Sequence, residues 1–253
     1  MKAIILAAGQ GTRLLPLTAD KPKCMVEYRG KPLVDYLVET FQNAGIDQTI
    51  IINGYKSDVL ENHFSSDEVT FRRNPDFETT NMVATLFCAE DDFDDDLIIS
   101  YGDIIYKKNV LEELIASNAE ISVVIDKDWE SLWRLRMEDP LADAETLKLD
   151  AGGNIIELGK KPQSADEIQG QYIGLIKISK SAVAKVRNFY HGLDKSAIYD
   201  GKDYDNMFMT SFLQLIIDRL SPVKAVPING GWIEIDSLED LKAYESAGID
   251  FNE

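Results

Sequence analysis

Residues 2–23 read Lys-Ala-Ile-Ile-Leu-Ala-Ala-Gly-Gln-Gly-Thr-Arg-Leu-Leu-Pro-Leu-Thr-Ala-Asp-Lys-Pro-Lys. The apolar run from Ala3 to Ala7 predicts a buried strand that ends directly in a loop with two glycines. Glycine lets main-chain N–H groups approach phosphate oxygens, because no Cβ stands in the way. Arg13 and Lys23 add the positive charge that a triphosphate requires. This stretch therefore predicts a nucleotide-binding loop.

Apolar runs alternate with amphipathic stretches through the first half of the chain. We predict strands at 3–7, 49–52, 69–73, 97–101 and 121–126. Helices are predicted at 33–44, 57–64, 81–90 and 110–117, with Asn81 as an N-cap. This alternation favours right-handed βαβ units and a parallel sheet, whose ligands bind beyond the carboxyl ends of the strands.

The second half is less regular. It predicts a hairpin (146–150 and 155–158), strands at 172–178, 223–227 and 232–235, and helices at 180–190, 207–219 and from Ser237. We predict the α/β class, with a Rossmann-like, mainly parallel mixed sheet flanked by helices. A single domain, 1–253, would have its core in 1–126 and 220–253 and an acceptor-binding insert at about 127–219.

Composition and charge narrow the function classes. The net charge of −18 disfavours a nucleic-acid partner. Residues 1–31 nevertheless hold six basic and two acidic side chains, as expected of a local anion site. The chain has two cysteines, and no apolar segment precedes its first strand, so we expect a cytoplasmic protein without a membrane partner. We also expect a monomer or a homodimer.

The glycine loop matches neither the dinucleotide fingerprint nor a Walker A motif. The string Leu-Ala-Ala-Gly-x-Gly-Thr-Arg-Leu-x-Pro-Leu-Thr, followed by Lys-Pro-Lys, resembles the sugar-phosphate nucleotidyltransferase superfamily. The resemblance implies that the loop holds a nucleoside triphosphate. It implies that Arg13 neutralises the leaving pyrophosphate, and that Lys23 bridges the α-phosphate and the phosphate of the acceptor. The implied fold is that of the nucleotide-diphospho-sugar transferases.

Two aspartates are candidate metal ligands. Asp103 follows the strand at 97–101, and the resemblance implies that it is the first Mg²⁺ carboxylate. Asp236 ends a late strand, where the family places its second aspartate, and Glu234 shares its face of that strand. Mg²⁺ binds one or two carboxylates together with substrate phosphates. We therefore expect Mg²⁺ as the cofactor.

A narrower resemblance rests on the Leu-Ala-Ala-Gly form, on Asn81-Met82 and on the closing Glu-Ile-Asp-Ser-Leu-Glu-Asp-Leu at 234–241. This combination is similar to bacterial phosphocholine cytidylyltransferases and their relatives that activate aminoethylphosphonate. It implies CTP as the nucleotide, although the residues themselves do not separate CTP from UTP. The candidate nucleotide-binding residues are Leu6, Ala7, Ala8, Gly9, Gly11, Thr12, Asn53, Gly54, Asn81, Tyr101 and Gly102.

The acceptor is expected to carry a phosphate or phosphonate and an ammonium group. Ammonium groups bind aromatic faces and carboxylates. The candidates for acceptor binding are Trp129, Trp133, Lys160, Tyr172, Asp205, Trp232 and Glu234. A phosphate with a second pKa of about 6 is largely dianionic at neutral pH, so no general base is required. Accordingly, neither His63 nor His191 lies in a candidate motif.

Three alternatives remain open at this point. The acceptor could be a sugar 1-phosphate or an inositol phosphate, with CTP, UTP or GTP as the donor. A metal-dependent glycosyltransferase would share the sheet and a metal carboxylate, but it would not need a cationic glycine loop. The third alternative is a nucleotide sensor without catalytic activity.

Overall fold

The computed structural model describes residues 1–65 and 67–251. Its strands, in chain order, are β1 (Lys2–Ala7), β2 (Glu27–Tyr28), β3 (Lys31–Pro32), β4 (Thr49–Asn53), β5 (Thr70–Arg73), β6 (Leu97–Tyr101), β7 (Ile104–Tyr106), β8 (Ile121–Asp126), β9 (Leu147–Leu149), β10 (Asn154–Leu158), β11 (Gln171–Ile178), β12 (Val223–Ile228) and β13 (Trp232–Glu234). The helices are α1 (Leu33–Asn43), α2 (Ser57–His63), α3 (Met82–Phe87), α4 (Lys108–Ala116), α5 (Trp129–Arg136), α6 (Lys180–His191), α7 (Met209–Arg219) and α8 (Leu238–Ser246).

The main sheet has nine strands in the order β5-β4-β1-β6-β11-β8-β12-β10-β9 within the described residues. β1 lies between β4 and β6 and pairs with both in parallel. β11 is antiparallel to β6 and β8, and β10 is antiparallel to β12 and β9. The remaining strands share one direction, which confirms the predicted mixed, mainly parallel sheet.

Alternate residues of the central strands face two separate hydrophobic cores. Ile5 packs on one side with Leu37 of α1, whereas Ile4 packs on the other side with Leu86 of α3. A strand covered by helices on both faces has no polar side, as the continuous apolar run of β1 predicts. The two helical layers leave the loops at the carboxyl ends of the strands free to form a site.

One predicted helix differs in extent from the observed one, and two predicted N-caps are confirmed. The helix predicted at 81–90 is shorter, since α3 ends at Phe87 and a 3₁₀ turn covers Glu90–Asp92. Asn81 is its N-cap, as predicted, because its side-chain oxygen accepts a hydrogen bond from the main-chain N–H of Met82. The predicted N-cap Ser237 is also confirmed and forms a capping box with Asp240.

The predicted acceptor-binding insert at about 127–219 contributes strands to the main sheet. β11 belongs to this segment, yet it lies in the middle of the main sheet between β6 and β8. Its side chains are almost entirely buried, so the core needs this strand. Residues 171–178 of the predicted insert are therefore part of the main sheet, and residues 252 and 253 of the predicted core lie outside the described part of the chain.

A small second sheet, formed by β7 and β13, joins two segments that are far apart in the sequence. β7 follows β6 directly, and β13 pairs with it in antiparallel register, with Glu234 opposite Ile104. Asp103, directly before β7, and Glu234, at the end of β13, are consequently neighbours. Among the described residues, no helix is both long and apolar enough to cross a bilayer.

Candidate active site

The loop after β1 is shaped by Gly11 and by contacts to Lys23. Gly11 has a φ of +71°, a left-handed conformation that favours glycine. A Cβ at this position would lie 2.8 Å from Cγ of Lys23, so the lysine stem packs directly on the glycine. The main-chain N–H of Lys23 donates to the carbonyl oxygen of Gly9 (3.4 Å). The loop and the lysine thus form one unit.

A cavity of about 420 Å³ opens beside this unit at the carboxyl ends of β1 and β6. It is lined by most of the predicted nucleotide-binding and catalytic residues, namely Leu6, Ala7, Ala8, Gly9, Gly11, Thr12, Arg13, Lys23, Asn81 and Gly102. The predicted metal ligands Asp103 and Asp236 also line it. Gly102 is required here because a Cβ would lie 2.7 Å from the carbonyl oxygen of Leu6. The size and the glycine-rich wall suit a nucleotide.

Three carboxylates meet at the end of this cavity. One ligand oxygen from each of Asp103, Glu234 and Asp236 lies within 4.8 Å of the others. Asp103 precedes β7 and Asp236 follows β13, so the pairing of these two strands brings the aspartates together. The predicted pair of metal ligands is therefore adjacent in space, and Glu234 is the third member of the group.

Cations surround the carboxylates. Nζ of Lys23 donates to Oδ2 of Asp103 (2.6 Å) and also to Oδ1 of Asp236. Arg13 lies 3.0 Å from the same Asp236 oxygen, although its side chain is largely exposed. The arginine that sequence reasoning missed is Arg136, at the end of α5.

The Arg136 guanidinium is almost completely buried, with 3% of its side chain exposed. It contacts Glu234 (2.8 Å), Asp236 (3.3 Å) and Asp240 (3.2 Å). Asp240 also accepts hydrogen bonds from the main-chain N–H groups of Asp236 and Ser237 (both 2.9 Å). Arg136 therefore fixes β13 and the start of α8 as a single charged cluster.

The electrostatic environment differs between members of the cluster. Burial and the neighbouring Asp236 raise the pKa of Glu234 to about 7. Burial disfavours the charged form of Asp236, but Lys23 outweighs it and holds the pKa of that carboxyl below its usual range. Burial likewise opposes the charge on Lys23, but Asp103 and Asp236 raise its pKa above the ordinary value.

A second cavity of about 220 Å³ adjoins the first and shares Arg13, Met82 and Asp236 with it. Four predicted acceptor-binding residues line it: Trp133, Tyr172, Trp232 and Glu234. Trp133 and Trp232 have ring centroids 6.2 Å apart. Asp143 and Glu145 add carboxylates to its wall.

Three predicted acceptor residues do not line this cavity. Trp129 is buried against Trp133 in the core, with ring centroids 5.9 Å apart. Lys160 lies in a different surface cavity and pairs with Glu157 (2.9 Å). Asp205 is exposed, and its carbonyl oxygen accepts from the N–H of Asn81 (2.9 Å). These three residues lie apart from the other four, because spacing in sequence did not reveal which face of the fold they occupy.

Three predicted nucleotide-binding residues also differ in position. Asn53 is fully buried and donates to Glu61 (2.8 Å) outside the cavity. Gly54 makes room for Phe77, since a Cβ at position 54 would lie 2.7 Å from Cβ of Phe77. Tyr101 lines the second cavity rather than the first. Phe77 itself lines the first cavity.

Sequence reasoning missed several residues of both walls. Gln10, Cys24, Phe77, Thr80, Met82 and Thr85 line the first cavity. Asp143, Glu145, Gln171, Phe208 and Thr210 line the second. The acidic stretch that ends at Glu145 was a detectable signal, whereas the others are ordinary residue types. Neither His63 nor His191 is among the residues that line these two cavities.

Known proteins share this architecture. The family described as Nucleotidyl transferase matches residues 2–134. The CTP:phosphoglutamine cytidylyltransferase of Campylobacter jejuni is 48% identical over 249 residues, which are 96% of this chain and 98% of that protein.

Two solved structures show the same fold. The inositol-1-phosphate CTP transferase from T. maritima has a TM-score of 0.72 at 23% identity and covers 96% of this chain and 93% of its own. The CTP:phosphocholine cytidylyltransferase from Streptococcus pneumoniae has a TM-score of 0.71 at 21% identity, with coverage of 98% and 99%.

Proposed function

The chain belongs to the nucleotidyl transferase family, and we propose that it transfers the cytidylyl group of CTP to the phosphate of a small acceptor that also carries an ammonium group. Pyrophosphate is the second product. The first candidate acceptor is phosphoglutamine, an amino-acid phosphate, because the Campylobacter relative is named for it and is similar over nearly the whole chain. The choice of CTP has the same support.

The observation that carries this proposal is the junction of the two cavities at Arg13 and Asp236. The larger cavity, with its glycine-rich wall, suits the nucleotide. The smaller one, with aromatic and acidic walls, suits the acceptor. A phosphate placed at the junction would face the α-phosphorus of the nucleotide, which is the geometry that a direct displacement requires.

In the proposed reaction, an acceptor phosphate oxygen attacks the α-phosphorus, and the bond from that phosphorus to the β-phosphate bridging oxygen breaks. The electron pair leaves with pyrophosphate. The main-chain N–H groups around Gly9 and Gly11 hold the triphosphate, while Arg13 and Lys23 neutralise charge on the phosphates. The protein needs no base, because the attacking oxygen is already ionised.

The cluster of Asp103, Glu234 and Asp236 fits a divalent metal ion. Oδ1 of Asp103 is buried and has no hydrogen-bond partner among the described residues. Two further carboxylates, Asp236 and Glu234, have oxygens within 4.8 Å of Asp103. Hard oxygen donors of this kind are the ligands that Mg²⁺ prefers. When bound, Mg²⁺ would offset the repulsion between the two anionic substrates.

The walls of the smaller cavity favour an ammonium group. The carboxylate of Glu145 has no hydrogen-bonding or ionic partner among residues 1–65 and 67–251. Burial and the neighbouring Asp143 carboxylate raise the pKa of this carboxyl above its usual range. An ammonium group between Glu145 and the faces of Trp133 and Trp232 would supply the missing counter-charge.

Pyrophosphate release tests the proposal directly. The purified protein is given each of four nucleoside triphosphates with phosphoglutamine, phosphocholine, aminoethylphosphonate, inositol 1-phosphate or glucose 1-phosphate. We expect the highest kcat/KM with CTP and an ammonium-bearing acceptor, and a kcat/KM lower by about 10²- to 10³-fold in Asp103→Asn. Highest kcat/KM with a sugar phosphate, or with UTP or GTP, would overturn the proposed substrates while leaving the reaction type intact.

A matched pair of variants tests the acceptor site. Glu145→Gln keeps the shape of the side chain and removes its charge, so we expect KM for the ammonium-bearing acceptor to rise about tenfold. Glu138→Gln is the control, because Glu138 is exposed in the same acidic stretch and lines neither cavity. An unchanged acceptor KM in Glu145→Gln would contradict ammonium recognition by this residue.

A further inference from the structure

Lys23 occupies the space between the two proposed metal ligands. Its Nζ donates to Oδ2 of Asp103 at 2.6 Å and to Oδ1 of Asp236. Only 16% of the lysine side chain is exposed, compared with 68% for Arg13. The ammonium therefore bridges the carboxylates from inside the cluster, and Arg13 approaches Asp236 from its solvent side.

The position of Lys23 is built into the loop. Its stem crosses the face of Gly11, where a Cβ would lie 2.8 Å from Cγ and 2.9 Å from Cβ of the lysine. The same side chain lines the nucleotide cavity. Because the lysine stem has four rotatable bonds, its ammonium can reach either the carboxylates or an anion in that cavity without main-chain movement.

The ammonium and a divalent ion would compete for the same oxygens. Mg²⁺ requires its oxygen ligands at about 2.0–2.1 Å in a near-octahedral arrangement. An ammonium already bound to Oδ2 of Asp103 and Oδ1 of Asp236 leaves no space for an ion that uses both oxygens. It also supplies the positive charge that stabilises the carboxylate pair in the free protein.

We propose that Lys23 acts as the resident counter-charge of the metal site, and that the metal ion and the nucleotide displace it together. This inference rests on the proposed function. The phosphates of the incoming nucleotide offer the ammonium a new anionic partner, and the metal ion takes over its place between the aspartates. Metal and nucleotide then bind cooperatively, since each makes the exchange easier for the other.

Direct Mn²⁺ binding without nucleotide, measured by electron paramagnetic resonance, tests the exchange. Lys23→Met removes the competing ammonium, and we expect it to tighten Mn²⁺ binding by about tenfold or more. Lys23→Gln is the second variant, because its amide still donates hydrogen bonds to the carboxylates and protects the fold. It is also expected to bind Mn²⁺ more tightly than the wild type does.

Two control variants separate competition from general electrostatics. Arg13→Gln removes an equal charge 3.0 Å from Asp236 without emptying the space between the aspartates, so we expect an increase below about threefold. Lys21→Met removes a lysine that pairs with Glu27 in the same loop, and we expect no change. Asp103→Asn locates the measured site by abolishing Mn²⁺ binding.

The outcomes distinguish the two proposals. Mn²⁺ affinity that depends on Asp103 but is the same in both Lys23 variants as in the wild type would overturn the role of Lys23 alone. An Arg13→Gln effect as large as that of Lys23→Met would overturn it as well. Mn²⁺ binding that is indifferent to Asp103→Asn would instead contradict the metal site of the proposed function.

Discussion

The main-chain N–H of Ile235 donates a hydrogen bond to the carbonyl oxygen of Asp103, at 3.0 Å. This bond extends the pairing of β7 with β13 by one step, and it joins the loop after β6 to the loop before α8. Asp103 and Asp236 are far apart in the sequence, yet their carboxylates share one lysine. The site is therefore assembled by a short β-ladder rather than by side-chain contacts alone.

Asp103→Asn and Asp236→Asn each remove one charge from this ladder-built site. We expect each to lower kcat/KM by about 10²- to 10³-fold, the effect of removing one preorganised electrostatic partner. The measurement is steady-state pyrophosphate release, with circular dichroism to check the fold. Asp205→Asn is the matched control, because Asp205 is exposed and lines neither cavity; a comparable loss there would contradict its exclusion from the site.

Arg136→Met leaves three carboxylates without their shared buried partner. We expect the free energy of unfolding to fall by about 3–5 kcal/mol, as for other buried ion pairs that lose one member. Arg136→Lys should recover part of this loss. Arg134→Met is the control in the same helix: its pair with Glu130 is exposed, and its loss should cost about 0.3–0.5 kcal/mol. Equal effects of the two methionine variants in urea unfolding would refute the role of burial.

Three glycine-to-alanine variants separate backbone strain from close contact. Gly30→Ala adds a Cβ at a φ of +79° with open space around it, so about 1–2 kcal/mol of stability should be lost. Gly11→Ala has a φ of +71° and also displaces Lys23, so activity should fall beyond the loss of stability. Gly9→Ala meets no atom within 4 Å and should leave the free energy of unfolding nearly unchanged.

The readouts for these three variants are urea unfolding and pyrophosphate release. A Gly11→Ala protein with the activity of Gly30→Ala would mean that the lysine stem tolerates the added methyl group. The packing of Lys23 on Gly11 would then have no consequence for its function.

The pH dependence follows from Glu234, whose pKa is raised by burial and by Asp236 to about 7. A carboxyl with a raised folded-state pKa binds protons more tightly than in the unfolded chain. Its contribution to stability is therefore present at low pH and is lost as the pH rises from about 4.5 to 7. Glu234→Gln should lack this decline in urea unfolding between pH 5 and 7.

Metal binding should show the opposite pH trend, because a divalent ion requires the ionised carboxylate. We expect Mn²⁺ affinity to increase as the pH rises towards 7, with proton release in calorimetry. Glu157→Gln serves as the control, since two lysines already hold the pKa of Glu157 at about 2. Mn²⁺ affinity that is constant from pH 5.5 to 7.5 would contradict the involvement of Glu234.

Most residues that line the larger cavity were predictable from local sequence. The residues from Leu6 to Arg13 and Lys23 lie within one short stretch. Their glycines and cations are the residue types that predict a phosphate-binding loop. Asp103 could be found in the same way, because it directly follows an apolar strand. In each case the neighbours in sequence are also neighbours in space, so the pattern and the site coincide.

The residues that line the smaller cavity were predicted less well. Trp129 and Trp133 both lie on α5, but only Trp133 reaches the cavity, because the helix turns the other ring into the core. Arg136 is one turn further along and carries no signal beyond its charge. Which side of a helix faces a cavity depends on how that helix packs, and packing is a long-range property.

The sequence by itself determined the sheet class, the position of the glycine-rich loop and the type of reaction, since these follow from short-range apolar patterns, glycine positions and charge. Only the tertiary structure decided that β11 enters the centre of the sheet, that β13 pairs with β7, and that Arg136 joins Glu234, Asp236 and Asp240. These features depend on contacts between distant segments, where hydrogen bonds and buried charges select one pairing among many that the local sequence allows.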